Sequence, residues 1–412
     1  MSDETGEERT GGAIEGALQK VVDGGGLAGA ATLVWRNDRV VHTAAAGWRD
    51  VEAQLRMERD TLFRIASMTK PITTAAALTL LEEGRFALDE PIATWAPEFS
   101  RTRVLRSLDG PLDDTVPAVR PITFDDLLTH RAGFTYGSFH PGPLAMAYAS
   151  ALGGDIDTHV APDEWIARLA ALPLLDQPGA GFHYGVSTDL LGLLVARIDG
   201  APLGDVLRRR IFEPLGMTDT AFAVPKEKRH RCAGPYGFDQ KGRLAKLTTA
   251  PGNAFLMERP EDMQFAGGGA GLWSTLDDYL AFARMFVSDG TVDGVRILKP
   301  ETLALMASNR LTASQRATAT TLGRRPFATG HGYGMGVAVV TEPGRADPLR
   351  CRGGIGTVGW PGAYGGWWQA DPTNDSVLIF LTHNMVEMPQ MAAGIGLGAW
   401  SAIVQFHELA SA

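Results

Sequence analysis

"RIASMTKPITTAAALTLLEEG", Arg64–Gly84, sets a serine and a lysine three residues apart and follows them at once with a proline. A proline inside a helix removes a hydrogen bond, but in the first turn its missing N–H is harmless. Pro71 therefore places the start of the helix that ends before Gly84 close to Ser67. Ser67 then occupies the helix N-terminus, with Lys70 one turn along on the same face. Unpaired backbone N–H groups and the positive end of the helix dipole favour negative charge on an oxygen there. An ammonium one turn away adds to that field, or acts as a base if burial lowers its pKa. The bland alternative is a capped helix start, since serine is a preferred N-cap and Ser-x-x-Lys is easily met by chance. The largely apolar "FRIA" before Ser67 argues against an exposed helix end.

A serine nucleophile needs a base, donors for the oxyanion and a pocket. No serine lies in a G-x-S-x-G elbow, and no histidine has a recognisable triad context. A phenol near a lysine can replace histidine, because a neighbouring positive charge lowers its pKa from about 10. Tyr184, in "PGAGFHYGVSTDLLG" (Pro178–Gly192), is the best candidate. It lies on a glycine-rich approach to a helix, where backbone can place a side chain into a cleft. Further on, in "GTVGWPGAYGGWWQADP" (Gly356–Pro372), Gly362–Pro372 reads as a strand, and glycines before and inside it allow close approach of a substrate. A free N–H from it, with that of Ser67, would make a two-donor oxyanion hole. Trp360, Tyr364, Trp367 and Trp368 could line an apolar pocket, although strand alternation lets only some of them face it. "GIGTVG" (Gly354–Gly359) satisfies the dinucleotide pattern but precedes no helix, so that reading is discarded.

The remaining chain supplies the frame. "AIEGALQKVVDG" (Ala13–Gly24) has helical spacing. "AGAATLVWRNDRVVHTAAAGW" (Ala28–Trp48) reads as two strands turning at Arg36–Arg39. Gly332–Val340 and Asp375–Asn384 are strand-like, and Met391–Ala410 is a last helix. The middle is mainly helical, with capping patterns at Thr123/Asp126, at Ser274/Asp277 and before Ser187–Gly200. An α/β (α+β) fold follows, with a mainly antiparallel sheet built from both chain ends and flanked by helices. Residues 1–90 and 275–412 would form the sheet domain and 91–274 a mostly helical one, with the active site between them.

The chain has 412 residues, 45% of them hydrophobic and 21% charged, and a net charge of −9. The acidic balance argues against nucleic acid as a partner, because phosphate binding needs a basic face. "KEKRHR" (Lys226–Arg231) is the one basic run and reads as a solvated loop. The two cysteines, Cys232 and Cys351, form no CxxC pattern, and no HExxH occurs, so neither metal nor cofactor is expected. No leader core and no membrane span are visible, which makes the cytoplasm the expected compartment. The oligomeric state is left open.

Together these segments resemble the serine β-lactamase and penicillin-binding-protein superfamily, in its class C-like branch. The match includes "FRIASMTK", "LLTHRAGF" (Leu127–Phe134), "YGVSTDLLG" (Tyr184–Gly192), "IFEPLGMTDTAF" (Ile211–Phe222), "GGGAGLWSTLDDYLAFARMF" (Gly267–Phe286) and the Trp-Pro-Gly strand. The resemblance implies that Ser67 is acylated, that Lys70 is its partner and that Tyr184 is the base. It implies backbone N–H groups of Ser67 and Ala363 as the oxyanion hole, and Tyr136, Trp360, Gly362 and Tyr364 around the substrate. Two departures bear on the substrate. β-Lactamases of this branch carry Tyr-x-Asn, where this chain has Val186. They also carry a Lys-Thr-Gly strand that helps bind a carboxylate, where this chain has Trp360-Pro361-Gly362. Loss of a charge-assisted contact costs about 1.5–3 kcal/mol. The pattern is similar to the family VIII carboxylesterases, whose third motif is typically Trp-Gly-Gly. It implies a neutral, short-chain or aryl ester as the small-molecule substrate. The rival readings are a β-lactamase, D-amino-acid peptidase or other amide hydrolase, an acyltransferase, and a non-catalytic binding protein.

Overall fold

The computed structural model describes residues 4–139, 142–248, 259–260, 263–321, 324–386, 390–391 and 393–411. Its centre is an eight-stranded antiparallel sheet. The strands are β1 (Gly29–Arg36), β2 (Arg39–Asp50), β3 (Leu55–Arg56), β4 (His331–Tyr333), β5 (Ala338–Val340), β6 (Val358–Gly359), β7 (Trp367–Asp371) and β8 (Ser376–Thr382), in the order β4-β5-β6-β7-β8-β1-β2-β3. The two chain ends meet at the β1–β8 seam, where Leu33 opposes Ile379 and Val34 opposes Leu378. Every residue of β8 is buried, so its interior, Val377–Leu381, is continuously apolar rather than alternating. Asn37 and Asp38, both at positive φ, turn β1 into β2.

Helices cover both faces. The first helix, α1 (Glu4–Asp23), and the last, α5 (Gly398–Ser411), pack on one side, where Ile14, Leu18, Val34, Phe380 and Phe406 share a core. On the other side lie α2 (Thr69–Glu82), α3 (Ser187–Asp199) and α4 (Leu276–Ala283). Adjacent tryptophans of β7 show the alternation directly. Trp367 meets Phe406 of α5, whereas Trp368 meets Tyr279 of α4 and Phe286 just beyond it. Neither reaches a ligand cavity; both are core.

α2 is buried along most of its length and packs against α3, which explains its apolar character all round. The expected cap at Thr123 is present: its side chain accepts from the Asp126 N–H, and the Asp126 carboxylate accepts from the Thr123 N–H. Other boundaries shift. The cap of α4 is Thr275, which accepts from the Asp278 N–H, one residue beyond the pair read from sequence. α3 begins without a side-chain cap, after Val186. Gly332–Val340 is a hairpin of β4 and β5 rather than one strand. Of the segment read as a strand from Gly362, the first part is a turn, and β7 begins only at Trp367. The last helix proper starts at Gly398, and residues 387–389 and 392 lie outside the described residues. Among the described residues no helix is long and apolar enough to cross a membrane.

Candidate active site

Ser67 is not the N-cap of α2. It lies in a short 3-10 turn, Ala66–Met68, that leads into the helix at Thr69. Ala66 has φ +44, a left-handed conformation that strains an L residue by about 1–3 kcal/mol. Its surroundings hold it there. The Ile65 N–H donates to the Leu272 carbonyl at 3.0 Å, and the Met68 N–H donates back to the Ile65 carbonyl at 3.0 Å. Phe63 and Arg64 pair with Ser274 and Trp273 in a two-residue ladder. The serine therefore leaves a fixed strand end on a kinked turn.

Lys70 is fully buried. Its Nζ donates to the Gly269 carbonyl at 2.8 Å and to Tyr136 Oη at 2.9 Å, and it stands 3.5 Å from Ser67 Oγ. The same ammonium lies 4.7 Å from the ring centre of Tyr184. Tyr184 Oη is engaged elsewhere, accepting from Trp360 Nε1–H at 3.0 Å. Two phenols thus flank the lysine: Tyr136 through its oxygen and Tyr184 through its ring. Sequence reasoning gave Tyr136 only a lining role; the structure gives it the direct contact with Lys70. Burial, with the negative charge of Asp189 next, pushes the Tyr136 pKa well above the ordinary phenol value.

Gly185 makes this pairing possible. A Cβ there would lie 2.3 Å from the Thr135 backbone, so only glycine lets the Tyr184 loop cross the Tyr136 loop in contact. The two tyrosine rings end 5.7 Å apart. Behind them His130 packs 4.8 Å from Tyr184. Burial, reinforced by the charge of Lys70, holds His130 well below its usual pKa. Asp189, which the sequence reading passed over, accepts from the Gly269 N–H at 2.8 Å and so fixes the carbonyl that Lys70 uses. Burial raises its pKa to about 6, against the opposing pull of Lys70.

The Pro361–Gly366 turn forms the opposite wall. The Gly362 N–H donates to the Gly366 carbonyl at 2.7 Å, and the Gly365 N–H donates to the Gly362 carbonyl at 3.0 Å. A Cβ on Gly362 would stand 2.6 Å from the Ile65 carbonyl, so this turn is pressed against the segment carrying Ser67. Among the described residues neither the Ser67 nor the Ala363 backbone N–H has a protein acceptor. Both residues line one cavity of about 480 Å³, as do Tyr136, Tyr184, Trp360 and Gly362. Tyr364 does not line it. The turn sends that ring behind the wall, edge-on to His383 at 4.7 Å and against Ala66. The far wall brings in Leu349, Arg350, Met385, Trp400 and Ile403. The sequence carried no motif for these, because they come from loops and from α5. Among the described residues no group of three His, Cys, Asp or Glu side chains is gathered to hold a metal ion.

A serine hydroxyl, a buried ammonium, two phenols and two open N–H groups around an apolar cavity are groups suited to acyl transfer. Residues 14–398 match the family model described as Beta-lactamase, so the chain belongs to the beta-lactamase family. It is 44% identical to Protein Rv1367c of Mycobacterium tuberculosis over 93% of this chain and 92% of that one. It is 32% identical to Esterase EstB of Burkholderia gladioli over 88% of this chain and 87% of that one. Among solved structures, EstCE1, described as a hydrolase with promiscuous acyltransferase activity, superposes with a TM-score of 0.76 at 25% identity, covering 98% of this chain and all of that one. The protein is a serine hydrolase of the β-lactamase-like family.

Proposed function

We propose that the protein is a carboxylesterase that works through an acyl-enzyme on Ser67. The observation that carries this reading is the buried Lys70 ammonium, placed between Ser67 Oγ and Tyr136 Oη beside a cavity with two unpaired N–H groups. Ser67 Oγ attacks the ester carbonyl, and its proton passes to Tyr184, which acts as the base in its phenolate form beside the Lys70 charge. The carbonyl oxygen, now negative, is received by the Ser67 and Ala363 N–H groups. The C–O bond to the alcohol breaks and the proton returns to the leaving oxygen. Water, deprotonated by the same phenolate, then attacks the acyl-enzyme and frees the acid.

Val186 stands where the class C-like motif carries its Asn, and it is buried outside the cavity wall; the absence of that side-chain amide favours esters over β-lactams or peptides. A second reading, transfer of the acyl group to an alcohol, is supported by the cavity size, which holds an acyl chain and an acceptor together. The test is hydrolysis of 4-nitrophenyl esters of graded chain length beside a chromogenic cephalosporin, with and without added alcohols, together with labelling by a fluorophosphonate. We expect ester turnover and a label on Ser67, both lost in Ser67→Ala. Turnover that survives Ser67→Ala overturns the assignment.

A further inference from the structure

Arg350 stands in the wall of the same cavity as Ser67. Its guanidinium lies over the ring of Trp360, 5.0 Å from the centre, and Trp360 in turn holds Tyr184. Many arginines among the described residues are tied to a carboxylate, as Arg64 is to Asp157 and Arg210 to Asp199. Arg350 is not. Among the described residues its guanidinium makes no ion pair and no hydrogen bond. Burial weakens its charge, Asp347 favours it, and Arg324 opposes it. Arg324 has a similar setting, exposed and 5.5 Å from the ring centre of Trp400, another wall residue. The one carboxylate in the described wall, Asp155, is engaged by Ser138 at 2.6 Å.

A half-buried guanidinium remains charged at any physiological pH. Asp347 attracts it without an ion pair and Trp360 offers only a ring face, so its N–H donors have no bonded anion to offset the hydration lost on burial. Its planar fork of donors matches a carboxylate in two parallel hydrogen bonds. Its place over the Trp360 ring restricts the side chain, so less of its freedom is lost on binding. The wall around it is otherwise mostly apolar, as a carbon chain joining an ester to a distant charge requires.

We propose that Arg350 is a substrate-recognition residue and that the preferred ester carries a carboxylate, which the cavity receives against the Arg350 guanidinium. This rests on the esterase reading above, and it replaces the uncharged substrate expected from sequence with a half-ester of a dicarboxylic acid or an ester of a carboxylated alcohol. Loss of a motif lysine at Trp360 does not leave the cavity without a cation, because the indole carries one on its face.

The experiment compares kcat/KM for mono-4-nitrophenyl adipate and for 4-nitrophenyl hexanoate, which differ mainly in the terminal charge. A second pair, 4-carboxyphenyl and 4-carbamoylphenyl hexanoate, puts the charge on the alcohol side. We expect the wild-type protein to favour the charged member of at least one pair. In Arg350→Met the charged-to-neutral ratio should fall about ten- to hundredfold. Arg350→Lys should recover part of it, which a merely packing arginine would not. A ratio near one in both pairs, or one that Arg350→Met leaves in place, overturns the proposal while the esterase reading stands. If no ester is turned over, that reading fails on its own, and calorimetry decides the anion site. Adipate that binds wild type but not Arg350→Met, with adipamide binding neither, supports it; adipate that does not bind wild type overturns it.

Discussion

The Lys70 ammonium donates to Tyr136 Oη at 2.9 Å, closer than its 3.5 Å approach to Ser67 Oγ. The phenol and the Gly269 carbonyl thus hold the lysine beside the serine rather than leaving it to point freely into the cavity. Removing one acceptor from a buried cation costs about 1.5–3 kcal/mol. Tyr136→Phe should therefore lower kcat for an aryl ester about ten- to hundredfold, with a far smaller change in KM. Steady-state kinetics reads this. An unaltered kcat would mean that Tyr136 only lines the cavity.

Trp360 touches both tyrosine and arginine. Trp360→Phe keeps an aromatic face for Arg350 but removes the Nε1–H donated to Tyr184 at 3.0 Å. A neutral hydrogen bond is worth about 0.5–1.5 kcal/mol. Turnover should drop roughly three- to tenfold, and a companion Tyr184→Phe should make the Trp360→Phe loss nearly vanish. Losses that simply add in the double variant would count against a shared hydrogen bond.

Gly362 is set against the Ile65 carbonyl, where a Cβ would stand 2.6 Å away. Backbone meets backbone here, so the contact has no flexible end to yield. Gly362→Ala should displace the Pro361–Gly366 turn from Ser67. Overpacking of this kind costs about 1–3 kcal/mol. The expected result is a melting temperature lower by several degrees and a fall in kcat larger than that of Gly344→Ala, where a Cβ meets nothing. Equal behaviour of the two variants would show that the approach of turn and serine is not critical.

Asp189 is buried with a pKa raised to about 6, from an ordinary value of 3.8, by loss of solvent. Between those values the folded protein holds the proton more tightly than the unfolded chain. Stability from this group is therefore greatest at low pH, falls as pH rises toward 6, and is level above it. The shift corresponds to roughly 3 kcal/mol. Asp189→Asn should gain stability relative to wild type as pH goes from 4 to 7, approaching that amount. Urea unfolding of both proteins across this range measures it. A difference that does not vary with pH would place the Asp189 charge in balance with Lys70.

Local pattern carried much of this far. Pro71 and the spacing of Ser67 and Lys70 fix a helix start and a shared face, and α2 does begin two residues after Ser67. Asn37 and Asp38 announce the turn between β1 and β2. The continuous apolar run of β8 marks a strand covered on both sides. Tyr184 stood out through its glycine-rich approach. Tyr364 did not behave as read, because a turn rather than strand pleating sets the direction of its ring.

The sequence by itself determined the placing of Ser67 and Lys70 at a helix start, the tyrosine loops and a sheet made from both ends of the chain, since these depend on periodicity, proline and glycine over a few residues. Only the tertiary structure decided which phenol touches Lys70 and which tryptophan faces the cavity. It also set the Arg350 guanidinium over the ring of Trp360. These relations join residues far apart in the chain, such as Lys70 with Tyr136 and Tyr184 with Trp360. No local spacing encodes them; packing of the loops around the Ser67 turn does.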